Sequence, residues 1–164
     1  MKDWSELVRQ VSNNLLVQQG LLGVVESCTG GGLGEVLTRY SGASQWFAGG
    51  FITYSNDAKM KHVFVRESTL VEQGAVSQEC VREMANGGMI ALDCTCCLSI
   101  SGIAGPEGGS EEKPVGTVWM GLAIRYKTID SKCFHFSGDR LAIREQAIEK
   151  ALEWLASVNL KRTV

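Results

Sequence analysis

Histidine is almost missing from this chain. His62 and His135 are the only two in 164 residues, so catalysis or metal binding through imidazole has little material to work with. An excess of positive charge is missing too: 16 Lys and Arg stand against 18 Asp and Glu, for a net charge of −2 and an isoelectric point near 5.7. Duplex nucleic acid is held by basic surfaces that displace phosphate counterions, and no such surface is foreseen here. Nor does any apolar run approach the roughly 20 residues that span a bilayer. The opening residues, Met1-Lys2-Asp3-Trp4-Ser5-Glu6, are too polar and acidic for a secretory leader. Together these absences predict a cytoplasmic protein with neither nucleic acid nor membrane as a partner.

Six cysteines are present, Cys28, Cys80, Cys94, Cys96, Cys97 and Cys133. Without an export signal a disulfide framework is not expected. The cluster Cys94-Thr95-Cys96-Cys97 has no neighbouring histidine to complete a metal site. Cys94, Cys96, Leu98 and Ile100 alternate onto one face, which predicts a strand that buries its thiols as small hydrophobes. An apolar fraction of 45% beside 21% charged residues is ordinary for a globular protein. A chain of this size can bury one core, so a single domain over residues 1–164 is expected.

Apolar spacing predicts a first helix through Trp4, Leu7, Val8, Val11 and Leu15, with Asp3 as its cap, ending near Gly20. A short buried strand follows at residues 22–26, then a glycine turn and a helix over 33–40. Residues 47–54 read as a strand and 55–61 as a short helix. A polar stretch containing Gly74 separates these from a long helix capped by Ser77. Strands are expected at 94–101, 115–124 and 132–137, the last two as an antiparallel pair. The final helix starts at Asp139, with Ile143, Ala147, Ala151, Leu155 and Val158 on its apolar side. Helices interspersed with strands, then two adjacent strands, point to a layered α/β domain with a mixed sheet.

Polar loops at strand ends are where α/β sheets collect ligands. Glu26-Ser27-Cys28-Thr29-Gly30-Gly31-Gly32 joins a buried strand to a helix start. That start offers free amides and the positive end of a dipole, so Ser27 is a candidate nucleophile beside an oxyanion or phosphate site. The alternative is a plain strand-to-helix turn capped by Thr29. Lys59 lies near the first turn of its own helix, where burial and the dipole disfavour the ammonium form. A lysine neutral for part of the time can take a serine proton; a solvated surface charge is the plainer alternative. Residues 102–110 are glycine-rich and suit an anion nest or a lid, but they form neither a P-loop nor a GxGxxG fingerprint. Arg140 is placed to grip a phosphate or to pair with a surface acid.

In order, Glu26-Ser27-Cys28-Thr29-Gly30-Gly31, Tyr54-Ser55-Asn56-Asp57-Ala58-Lys59, Gly74-Ala75-Val76-Ser77, Ser101-Gly102-Ile103-Ala104-Gly105-Pro106, Lys113-Pro114-Val115-Gly116-Thr117-Val118 and Ser137-Gly138-Asp139-Arg140 resemble the CinA C-terminal domain family, especially its standalone nicotinamide mononucleotide amidohydrolases. The segments cover nearly the whole chain, and six in order are specific where each alone is modest. The resemblance implies a three-layer α/β/α fold and hydrolysis of a nicotinamide carboxamide to nicotinate mononucleotide and ammonia, as part of pyridine nucleotide recycling. It implies a Ser27–Lys59 dyad, an acyl-enzyme, and no metal or other cofactor. Thr29 and Gly30 are expected to supply oxyanion amides, Tyr54 and Asn56 to orient the ring or the dyad, and Gly102, Gly105 and Arg140 to hold the phosphate of a small-molecule nucleotide. Longer relatives carry an added N-terminal domain of different activity, which is not expected here. Gly32 and Val63-Phe64-Val65 depart from the family pattern, the latter placing bulk near the expected pocket wall. A noncatalytic nucleotide-binding or interaction module is the alternative, and a metal-dependent phosphohydrolase ranks last for want of a carboxylate cluster. Exposed apolar faces are compatible with a homodimer.

Overall fold

The computed structural model describes residues 2–161. At its centre lies β1 (Leu22–Glu26), all five residues of which are buried. A strand covered on both faces reads as one apolar run rather than an alternation, and Leu22-Gly23-Val24-Val25 is such a run. Parallel neighbours flank it: β2 (Phe47–Ile52) on one side and β3 (Cys96–Gly102) on the other, with Val24 opposite both Gly50 and Leu98. β4 (Thr117–Ile124) and β5 (Asp130–His135) then continue the sheet antiparallel, with Trp119 opposite Cys133, giving the order β2-β1-β3-β4-β5. The sheet is therefore mixed, and the expected antiparallel pair is present.

Helices cover both faces, making three layers. On one face α1 (Ser5–Val17), α2 (Gly32–Thr38) and α6 (Arg140–Ala156) pack over Val24, Leu98, Ile100 and Met120. On the other, α3 (Asn56–Val63), α4 (Glu67–Gln73) and α5 (Gln78–Leu92) cover Val25 and Cys97. α3 and α5 approach so closely that a Cβ on Gly87 would stand 1.7 Å from the Val63 carbonyl oxygen. That contact fixes where the Lys59 helix sits.

Three details differ from the sequence expectation. α4 falls in the stretch read as polar connection; only Thr69 of its residues is fully buried, so it carries no apolar stripe to announce it. Cys94 does not share a face with Cys96. It precedes β3, after Asp93 turns the chain at φ 48°, and joins Cys97 on the α5 side while Cys96, Leu98 and Ile100 face α1 and α6. Asp3 accepts the Ser5 amide at 2.9 Å although Trp4 occupies the N-cap position of α1. The cysteines of the described residues are free thiols, all buried except Cys133.

Candidate active site

Ser27 is the first residue after β1, and its amide donates to the Ile100 carbonyl at 2.9 Å, tying the turn to β3. Lys59 reaches the same point from α3. Ser55 caps that helix by accepting the Ala58 amide at 3.1 Å, which places Lys59 one turn in. The Lys59 side chain is 1% exposed, and its Nζ donates to Ser27 Oγ at 3.1 Å, to the Thr53 carbonyl at 2.7 Å and to the Tyr54 carbonyl at 3.4 Å. Among the described residues no carboxylate pairs with it. Burial lowers its pKa below the ordinary lysine value, because an ammonium loses more hydration than an amine. Lys61 behaves differently, pairing on the surface with Asp57 at 2.9 Å.

Cys28 is the rival nucleophile by position. Burial pushes its thiol up to about 11, so it stands protonated at neutral pH, whereas a thiol attacks as thiolate. The hydroxyl of Ser27, by contrast, has the Lys59 nitrogen beside it at 3.1 Å.

The start of α2 is not the anion site that the glycines suggest. Glu26, at the end of β1 and 1% exposed, turns its carboxylate onto that helix end. It accepts the Leu33 amide at 3.0 Å, the Gly34 amide at 2.8 Å and the Thr29 hydroxyl at 2.5 Å. The Gly30 amide donates to the Ser27 carbonyl and the Gly32 amide to the Thr29 carbonyl, each at 2.9 Å. Gly31, at φ 94°, is the residue in the N-cap position, so Thr29 is not the cap either. A buried carboxylate already compensates the dipole and consumes the donors that an external anion would use.

A cavity of about 270 Å³ opens over Ser27 and Lys59. It gathers Tyr54, Asn56, Gly102, Gly105 and Arg140 from three separate segments of chain. Arg140 donates to the Gly105 carbonyl at 2.8 Å and to the Tyr54 hydroxyl at 3.0 Å, bridging the two sides of the opening. Thr29 and Gly30 are not among its lining residues; the hydroxyl of the one and the amide of the other are spent within the turn. Val63, Phe64 and Val65 are likewise absent from the lining, and Phe64 is 58% exposed. Sequence reasoning missed Ser101 and Glu107, which do line the cavity. Ser101 had a legible signal: it follows Ile100, whose carbonyl holds Ser27, at the carboxyl end of β3. Also missed was Arg144, whose Nε donates to the Cys28 carbonyl at 3.1 Å and Nη2 to the Thr29 carbonyl at 3.0 Å. Among the described residues no group of three or more His, Cys, Asp and Glu is arranged to hold a metal ion, and no helix is long and apolar enough to cross a membrane.

Fold and site together describe a three-layer α/β protein in which a buried lysine meets a serine at the carboxyl end of a central parallel strand. The chain belongs to the CinA family: the model of the CinA C-terminal domain matches residues 5–159. It is 47% identical over 158 residues to the nicotinamide-nucleotide amidohydrolase PncC of Escherichia coli K12, covering 96% of each chain. The protein of the same name from Shigella flexneri is 48% identical over 160 residues. A putative competence-damage inducible protein of Caldicellulosiruptor saccharolyticus is 45% identical over 152 residues, which span 37% of its length. Among solved structures, a CinA superfamily protein from Klebsiella pneumoniae superposes with a TM-score of 0.90 at 35% identity, covering 94% of this chain and 96% of that one.

Proposed function

We propose that this protein hydrolyses the carboxamide of nicotinamide mononucleotide to nicotinate mononucleotide and ammonia. The observation that carries the chemistry is the 3.1 Å contact between a buried, ion-pair-free Lys59 amine and the Ser27 hydroxyl. The names borne by relatives nearly half identical over almost their whole length supply the substrate. As an ammonium, Lys59 gives one proton to each of its three acceptors. As an amine it has two N–H bonds, which the Thr53 and Tyr54 carbonyls can retain, so the lone pair turns to Ser27 and accepts a hydrogen bond from its hydroxyl.

From that state Lys59 takes the serine proton as Oγ bonds to the carboxamide carbon. The amides of Cys28 and Thr29 donate to no backbone carbonyl among the described residues, and they are the donors assigned to the oxyanion, at about 3 kcal/mol each in well-studied enzymes. Lys59 returns the proton to nitrogen, the C–N bond breaks and ammonia leaves. Water then attacks the acyl-serine, freeing the carboxylate and restoring the hydroxyl. Arg140, Gly102 and Gly105 on the far wall suit the phosphate, and Tyr54 and Asn56 suit the pyridine ring and ribose; binding those parts positions the amide.

The test is to incubate the purified protein with nicotinamide mononucleotide and measure ammonia and nicotinate mononucleotide. Ser27→Ala and Lys59→Ala are each expected to lower turnover at least about 10³-fold with the fold retained. Full turnover in Ser27→Ala rules out the nucleophile. Saturable binding without ammonia from the native protein overturns the hydrolase reading.

A further inference from the structure

We infer that Arg144 is a positioning residue for the nucleophile turn, fixing the Cys28–Thr29 and Thr29–Gly30 peptide planes beyond Ser27; this rests on the reading of Ser27 as the attacking group. Arg144 stands one turn after Arg140 on α6, but it does not line the cavity. Its fork grips the back of the turn, with one donor on the Cys28 carbonyl and one on the Thr29 carbonyl. A trans peptide is planar, with C=O and N–H pointing opposite ways. Holding the Cys28 carbonyl therefore sets the direction of the Thr29 amide, an assigned oxyanion donor. Holding the Thr29 carbonyl sets the Gly30 amide, which closes onto the Ser27 carbonyl at 2.9 Å.

Arg144 adds an outside hold to a turn whose own bonds leave the Cys28 carbonyl untied and give the Thr29 carbonyl the Gly32 amide alone. Gly30 at φ 57° and Gly31 at φ 94° follow these carbonyls, and glycine leaves the backbone free to swivel. Glu26 fixes the Thr29 side chain and the first turn of α2 but touches neither carbonyl. Arg144 also declines its ordinary partners. Glu35 and Glu145 share its surface groove, yet Glu35 pairs with Arg39 at 2.8 Å and neither acid forms an ion pair with Arg144. A guanidinium supplies two donors in a rigid plane, which a lysine cannot copy.

The experiment compares the native protein with Arg144→Ala and Arg144→Lys by two readouts. One is kcat and KM for nicotinamide mononucleotide. The other is the rate at which a fluorophosphonate labels Ser27, where the serine O–P bond forms, fluoride leaves and Lys59 takes the proton. Arg144→Ala is expected to lose kcat on the order of 10²-fold, with KM within about twofold because Arg144 does not itself line the cavity. Labelling should slow in parallel, added guanidinium should restore part of both rates, and Arg144→Lys should fall between. Unchanged kcat and labelling, or a raised KM with kcat intact, overturns the assignment. If Arg144→Ala does not fold, the same division between kcat and KM is read in Arg144→Lys. A native protein whose Ser27 is labelled but which releases no ammonia loses the substrate reading while the labelling series still judges Arg144. A native protein not labelled at Ser27 loses the nucleophile and this inference with it.

Discussion

At Lys59 one amine faces three oxygen acceptors and no carboxylate, so its charge is costly where a partnered lysine's would not be. Burial favours the neutral form, and the pH–rate profile should show it. The base is the amine, so kcat/KM should rise with pH through the native pKa of Lys59, which lies below its ordinary 10.5. In Lys59→Ala the residual rate should lack that limb. A profile of the native protein that stays flat up to 10.5 counts against Lys59 as the base. Ser27 and Lys59 were legible in the sequence because each sits where an apolar run meets a polar turn. What Glu26 does was not legible. An acid at the end of a buried strand gives no sign of which way its side chain turns, and here it turns back onto α2 and removes the anion site that the glycines advertised. The Gly30 amide went with it, spent on the Ser27 carbonyl.

Among the elements, strands and long helices followed from periodicity because burial imposes it, while α4 did not, since it buries too little to need a stripe. Cys94 was assigned the wrong face for a related reason: alternation holds only inside a strand, and β3 begins two residues later. The junction of α3 with α5 yields a direct test. Replacing Gly87 by alanine improves intrinsic helix propensity by about 1 kcal/mol, but the added carbon would meet the Val63 backbone at 1.7 Å. Backbone cannot step aside as a side-chain tip can. Gly87→Ala is therefore expected to lower stability by about 2 kcal/mol or more, read as a reduced urea midpoint with unchanged slope. Because α3 carries Lys59, turnover should fall as well; a variant of native stability would show that the two helices are not so tightly joined.

For the molecule as a whole, the site is maintained at the expense of stability. Lysine with a lowered native pKa penalises the folded state wherever the unfolded chain binds its proton and the native chain resists it. The penalty is full below the native pKa and fades as pH rises to the unfolded value near 10.5. Lys59→Met, close in volume and uncharged, should lose activity yet melt higher than the native protein at pH 7, by about 2–4 °C for each kcal/mol relieved. The gap should close as the pH approaches 10.5. A lower melting temperature for Lys59→Met at every pH would show that the bonds to Thr53 and Tyr54 outweigh the cost of dehydrating the charge. The Glu26 carboxylate has a wider consequence for how a ligand comes to rest. With the positive pole of α2 silenced from inside, that helix draws no anion to the floor beside Ser27, and the guanidinium of Arg140 waits at the rim. On the proposed reading, a guest with an anionic phosphate tail and a cationic pyridinium head lies tail outward, head to the hydroxyl.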